Sequence, residues 1–213
     1  MTTYPQPEEL MAKGMSWFED ESRWKKVKTQ EGVDIYEGTE KSRFRQFRGI
    51  GIINKPFSQV LKILNDFSLR PKWNDKVIVA EVVEKFDDDH MIIHVKFNGS
   101  PVTHRDFCCY ALTKITDEEF IEIETSVTHE KCPEEKGFVR AHAEITGNRL
   151  QKVDENNTRM TYMGQVDLAG MVPTFIANIV NQGQPMVIAA LQKYLDTLPG
   201  DSEAEPSPSV DPS

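Results

Sequence analysis

What this chain can fold into is limited first by its last long segment. From Val172 to Leu198, apolar residues fall at Val172, Phe175, Ile176, Ile179, Val180, Val187, Leu191, Tyr194 and Leu198. That spacing marks one face of a long helix, and such a stripe needs a broad apolar surface to lie on. Pro185 sits inside it and removes the N–H that would bond to the Asn181 carbonyl, so a bend is expected there, eased by Gly183. The preceding residues read as strands: Val77–Phe86, His90–Phe97, Asp106–Ile115, Phe120–Thr128, Val139–Leu150 and Arg159–Leu168. Their β-branched and aromatic content, with DDD and ENN turns between them, predicts an antiparallel meander. Three shorter runs come earlier, at Trp24–Lys28, Val33–Tyr36 and Phe44–Ile53, punctuated by Gly32 and Gly38. Helical spacing appears over residues 8–20 (Leu10, Met11, Met15, Phe18) and again after Pro56 (Phe57, Val60, Leu61, Leu64). The fold class is therefore α+β: a curved antiparallel β-sheet around a long C-terminal helix. The space between them is either filled by side chains or left as a cavity for an apolar ligand, with the bent helix as its lid.

Composition narrows the partners. The net charge of −9 argues against nucleic acid, whose binding depends on neutralising phosphates. Cys108, Cys109 and Cys132 form no CxxC pair, and adjacent Cys108 and Cys109 would point to opposite faces of a strand, so no disulfide framework is expected. MTTYPQPEEL does not have the form of a secretory signal, and no apolar run is long enough to span a bilayer. A cytoplasmic, reduced protein is expected, acting as a monomer. Residues 200–213, GDSEAEPSPSVDPS, have little to bury and are expected to form a disordered acidic tail, leaving residues 1–199 as one domain.

Four motifs then stand in order: DFSLRPKWNDKV, THRDFCCYAL, CPEEKGFVRA and TYMGQVDLAGMVPTFIAN, together spanning residues 66–178. With the elements between them, they resemble the START family of lipid-transfer domains. The resemblance implies a helix-grip fold with an internal cavity for one lipid, gated by the C-terminal helix and adjoining loops. It implies carriage or sensing of a sterol, phospholipid or other acyl lipid, through transient peripheral membrane contact. Each methylene left in water costs ~0.8 kcal/mol, so a bare acyl chain costs on the order of 10 kcal/mol, which a greasy cavity removes.

The resemblance also proposes site residues. In phosphatidylcholine-carrying members the arginine of the RxxW stretch contacts phosphate; here it is Arg70, followed by Trp73, and the alternative is an ion pair within the domain. Arg105 opens the RDF strand, with Phe107 and Cys109 on its face. His94 and Phe107 fall where those members build an aromatic choline cage, and with Cys109 completing the set only one aromatic remains. The buried acid–base pair of sterol-type members would fall near Val95 and at Ala111, so that pair is absent. Tyr162 and Gln165 are expected polar contacts, Phe175 and Ile179 part of the lining, and Val102, Met171 and Val172 membrane-contacting residues.

Catalysis has little support in the pattern. The histidines lie in no nucleophile-elbow, HExxH or His/Cys ligand spacing, and no Gly-rich phosphate loop appears, so no metal or cofactor is expected. A carrier, a lipid-sensing interaction module and a hydrolase of acyl lipids remain, in that order.

Overall fold

The computed structural model describes residues 4–42, 44–100, 102–172, 180 and 183–199. The expected tail, Phe175 and Ile179 lie outside them. Helix α1 (Pro7–Glu19) starts the chain with proline in its first turn and Glu8 and Glu9 beside the positive end of its dipole. Strands β1 (Trp24–Gln30) and β2 (Val33–Gly38) form a hairpin. Its two loop residues, Glu31 (φ 49°) and Gly32 (φ 76°), both take the left-handed conformation that a tight hairpin turn demands. Strand β3 (Gln46–Ile53) leads into α2 (Phe57–Leu64) and the one-turn α3 (Arg70–Trp73). Then come β4 (Val77–Lys85), β5 (His90–Phe97), β6 (His104–Ile115), β7 (Glu119–Ser126), β8 (Phe138–Arg140), β9 (His142–Lys152) and β10 (Thr158–Asp167). A 3-10 turn at Gln184–Met186 enters the last helix, α4 (Val187–Thr197).

The strands form one sheet in the order β1-β2-β3-β10-β9-β7-β6-β5-β4, with β8 lying parallel to the start of β6. The expected meander is thus interrupted twice. The run at Val139–Leu150 breaks at Ala141 into β8 and β9, and the N-terminal strands join the sheet beside β10. The sheet curls without closing, and both of its faces are covered. On the convex face, Leu10, Trp17 and Phe18 of α1 pack on Ile121, Ile123, Ile145 and Met163. On the concave face, Ile188, Leu191 and Leu195 of α4 meet Ile53, Phe120, Leu150 and Met160, with α2 and Trp73 closing the side.

Pro185 is buried in the turn that opens α4, and β3 receives it through a glycine. A Cβ on Gly49 would lie 2.6 Å from the Cβ of Pro185, and one on Gly51 2.9 Å from Ile188 Cγ2. The GIG stretch of β3 therefore lets strand backbone and covering helix approach closely. Of the expected helix from Val172, the half after Pro185 is seen as α4; residues 173–179, 181 and 182 lie outside the described set.

Candidate functional site

Register assigns each side chain to a face. Tyr162 of β10 pairs with Asn148 of β9, which pairs with Glu122 of β7, which pairs with Thr113 of β6. The next row runs Gly164, Thr146, Glu124, Ala111 and Met91. Both rows lie on the concave face, between the Phe120–Leu150–Met160 row under α4 and an apolar patch of Ile93, Val95, Cys109, Ala143 and Val166 with Phe67. A polar band therefore crosses an otherwise greasy surface.

Arg70 supplies the cation of this band. The 3-10 turn Phe67–Leu69 and α3 place its guanidinium 4.1 Å from the Phe67 ring centroid. From there Nη1 donates to Glu124 Oε1 at 3.1 Å and Nη2 donates to Glu122 Oε1. Asn148 Nδ2 donates to Glu122 Oε2, and Thr146 Oγ1 to Glu124 Oε2, each at 3.0 Å. The Glu122 side chain is 1% exposed and Glu124 13%. Burial pushes the Glu122 carboxyl up to about 8 against the pull of Arg70. Burial also opposes ionisation of Glu124, but the Arg70 charge and the hydrogen bonds it accepts hold its carboxyl below the usual range. So at neutral pH the cluster holds one proton, one carboxylate and one guanidinium.

The band continues toward the covering helix. Tyr162 Oη donates to Gln184 Oε1 at 2.7 Å, just before α4. A Cβ at position 164 would stand 2.8 Å from that hydroxyl, 3.3 Å from Thr146 Cγ2 and 3.4 Å from Gln184 Oε1, so Gly164 makes the room. Burial raises the Tyr162 pKa, and nearby Glu124 adds to the effect.

The other expected site residues are spread more widely. Trp73 packs in the core beside α4, and its indole N–H has no partner among the described residues. Phe107 faces the concave side, edge-on to Phe97 with centroids 5.6 Å apart. His94 pairs with Cys108, which puts it on the convex side, opposite to Phe107. There its Nε2 lies 2.8 Å from Asp106 Oδ2, and Asp106 also accepts two bonds from Arg140, bracing β8. The structure therefore does not bring His94 and Phe107 together on one wall. Gln165 pairs with Ile145, also away from α4, and its amide holds Phe44 O at 2.9 Å. Arg105 lies near the start of β6, between Phe97 of β5 and Val139 of β8. It donates to Leu168 O (3.2 Å), Ala169 O (3.3 Å) and Thr103 O, which ties the loop before β6 to the loop after β10. In the second loop Ala169 (φ 51°) and Gly170 (φ 66°) turn left-handed and hold Met171 fully in solvent, with Val172 half-buried beside it. Val102 is half-buried in the first loop.

Glu122 and Glu124 were missed by the sequence reading. The alternation FIEIE makes Ile121 and Ile123 the buried face and the glutamates the wet one. Both faces of β7 are in fact covered, so period-2 alternation loses its meaning there.

A curled antiparallel sheet that grips one C-terminal helix defines the helix-grip class of α+β domains. The START domain model matches residues 7–199, and the chain belongs to that family. It is 28% identical over 204 residues to StAR-related lipid transfer protein 5 of Mus musculus, covering 88% of this chain and 94% of that one. It is 25% identical over 202 residues to the mitochondrial steroidogenic acute regulatory protein of Ovis aries, covering 91% and 71%. Among solved structures, human STARD10 superposes with a TM-score of 0.80 at 22% identity, over 91% of this chain and 80% of that one. That likeness concerns the fold.

Proposed function

We propose that this chain binds a single lipid on the concave face of its sheet, beneath the C-terminal helix, and carries it between membranes without changing it chemically. The observation that supports this most is the composition of that face: an apolar patch beside a self-contained polar band, within a START domain. Hydrocarbon lies on the first without loss, and a polar end group meets the second. The protein then touches a bilayer only to load and unload. Met171, on its left-handed turn, leads that contact, with Val172 and Val102 beside it and Arg105 holding their two loops together. No described helix is long and apolar enough to cross a membrane. The proposed working form is a cytoplasmic monomer whose acidic charge keeps contact with anionic bilayers brief.

Transfer between donor and acceptor vesicles tests this. Protein at a hundredth of the lipid concentration is expected to move many lipids per chain, at a rate proportional to protein. Movement that stops at one lipid per chain would identify a sensor. Breakdown of a labelled ester would identify a hydrolase.

A further inference from the structure

Resting on the lipid-binding reading above, we infer that the Arg70–Glu122–Glu124 cluster takes the hydroxyl of an uncharged lipid and disfavours a phosphate headgroup. Charge comes first. Nη1 of Arg70 is committed to the Glu124 carboxylate and Nη2 to the protonated Glu122 carboxyl, so a phosphate arriving here would meet a cation already balanced by a neighbouring carboxylate. Like charges at close range in a buried site strongly disfavour that arrangement. An ammonium headgroup is little better served, because Arg70 already stands opposite Glu124 and a second buried cation adds a further desolvation cost.

The unpartnered atoms point the same way. Among the described residues, Arg70 Nε and Trp73 Nε1 are buried donors without an acceptor, and Asn148 Oδ1 is a buried acceptor without a donor. Arg70 and Trp73 themselves are 9% and 7% exposed. Asn148 already donates to the Glu122 oxygen next to the one that Arg70 holds, so the unpartnered atoms of Arg70 and Asn148 belong to side chains that flank the same Glu122 carboxyl. Phosphate brings acceptors only. A hydroxyl brings an acceptor and a donor, the two kinds of partner left wanting. Glu124 is the more open of the two acids and accepts from Arg70, Thr146 and the Glu122 carboxyl, which still leaves a carboxylate lone pair for an incoming O–H. Ala111 pairs with Glu124 across the sheet and leads to Met91, Ile93 and Val95, so the hydrocarbon body has apolar wall directly beside the polar end.

Two sources carry this chemistry, a sterol and a diacylglycerol, and a ligand series separates them. The full chain is titrated with cholesterol, its methyl ether and cholesteryl sulfate, and with dioleoylglycerol, its 3-O-methyl ether and dioleoyl phosphatidic acid. In at least one series the free hydroxyl is expected to bind about tenfold more tightly than the ether, and more tightly than the anion. Glu124→Gln is expected to shrink that preference; because the series is read first on the unmodified chain, the result does not hinge on the variant folding. Equal binding of alcohol and ether in both series, or tighter binding of the anions, overturns the assignment while leaving lipid binding intact. Failure to bind any of the six overturns the lipid reading and the assignment with it.

Discussion

Arg70→Met is expected to lower the stability of the fold by about 3–5 kcal/mol at pH 7, the usual cost of stranding a buried charge by removing its partner. Arg70 is the cation seen bonded to Glu122 and Glu124, and both carboxylates are deeply placed beneath the covering elements. Without it, the Glu124 carboxylate loses its counter-charge beside an already protonated Glu122 and must take up a proton itself or stay buried uncompensated. The loss should therefore be smaller in acid, where protonation is easy, and larger toward pH 8. Urea unfolding with an unchanged slope against denaturant reads this directly. Arg70→Met combined with Glu122→Leu and Glu124→Leu is expected to recover most of the loss, because a packed apolar triad needs no counter-charge. Recovery of stability without recovery of hydroxyl preference would separate the cluster's part in folding from its part in binding. A single variant within about 0.5 kcal/mol of the parent would show that Arg70 does not neutralise these acids.

The pH dependence of stability should carry the signature of Glu122. Its carboxyl titrates near 4.5 when unfolded and is pushed up to about 8 by burial when folded. The folded chain then holds a proton that the unfolded chain has released, so stability falls as pH rises from about 4.5 to about 8 and levels off above that. Glu124 acts in the opposite sense. Its folded pKa is lowered, so its contribution is present above the unfolded value and is lost only as pH falls below it. The span from pH 5 to 8 therefore belongs to Glu122. Glu122→Gln has no proton to lose, and Asn148 can turn its amide to present its unpartnered Oδ1 to the new donor. Relative to this variant, the parent is expected to lose on the order of a few kcal/mol across that span. Parallel pH profiles for the two proteins would place the proton elsewhere.

Much of this architecture was legible because its periodic signals are strong. The stripe Val187, Leu191, Tyr194 does mark the closing helix, whereas Pro185, expected to bend that helix from inside, lies in the 3-10 turn that enters it, where a residue lacking N–H is tolerated. Alternation along THRDFCCYAL correctly sets Phe107 and Cys109 on one face and Asp106 and Cys108 on the other. Partnerships across the sheet were not legible. His94 precedes Arg105 by only a short stretch, yet whether it faces in or out depends on which residue of β6 lies opposite, and that is Cys108. Glu122 and Glu124 did not stand out because nothing local reveals that a second layer covers them. Arg70 lies far from both in sequence, so only the folded chain brings the three together. The loop staple made by Arg105 is hidden for the same reason: its acceptors are backbone carbonyls, which carry no sequence signal.

Native mass spectrometry of the full chain, after incubation with mixed-lipid vesicles and removal of those vesicles, tests lipid binding with least intervention. One added mass per chain is expected, equal to that of an uncharged lipid bearing a hydroxyl, and released when the protein is unfolded. A chain that stays at its own mass through saturating exposure would mean that the concave face shelters no lipid.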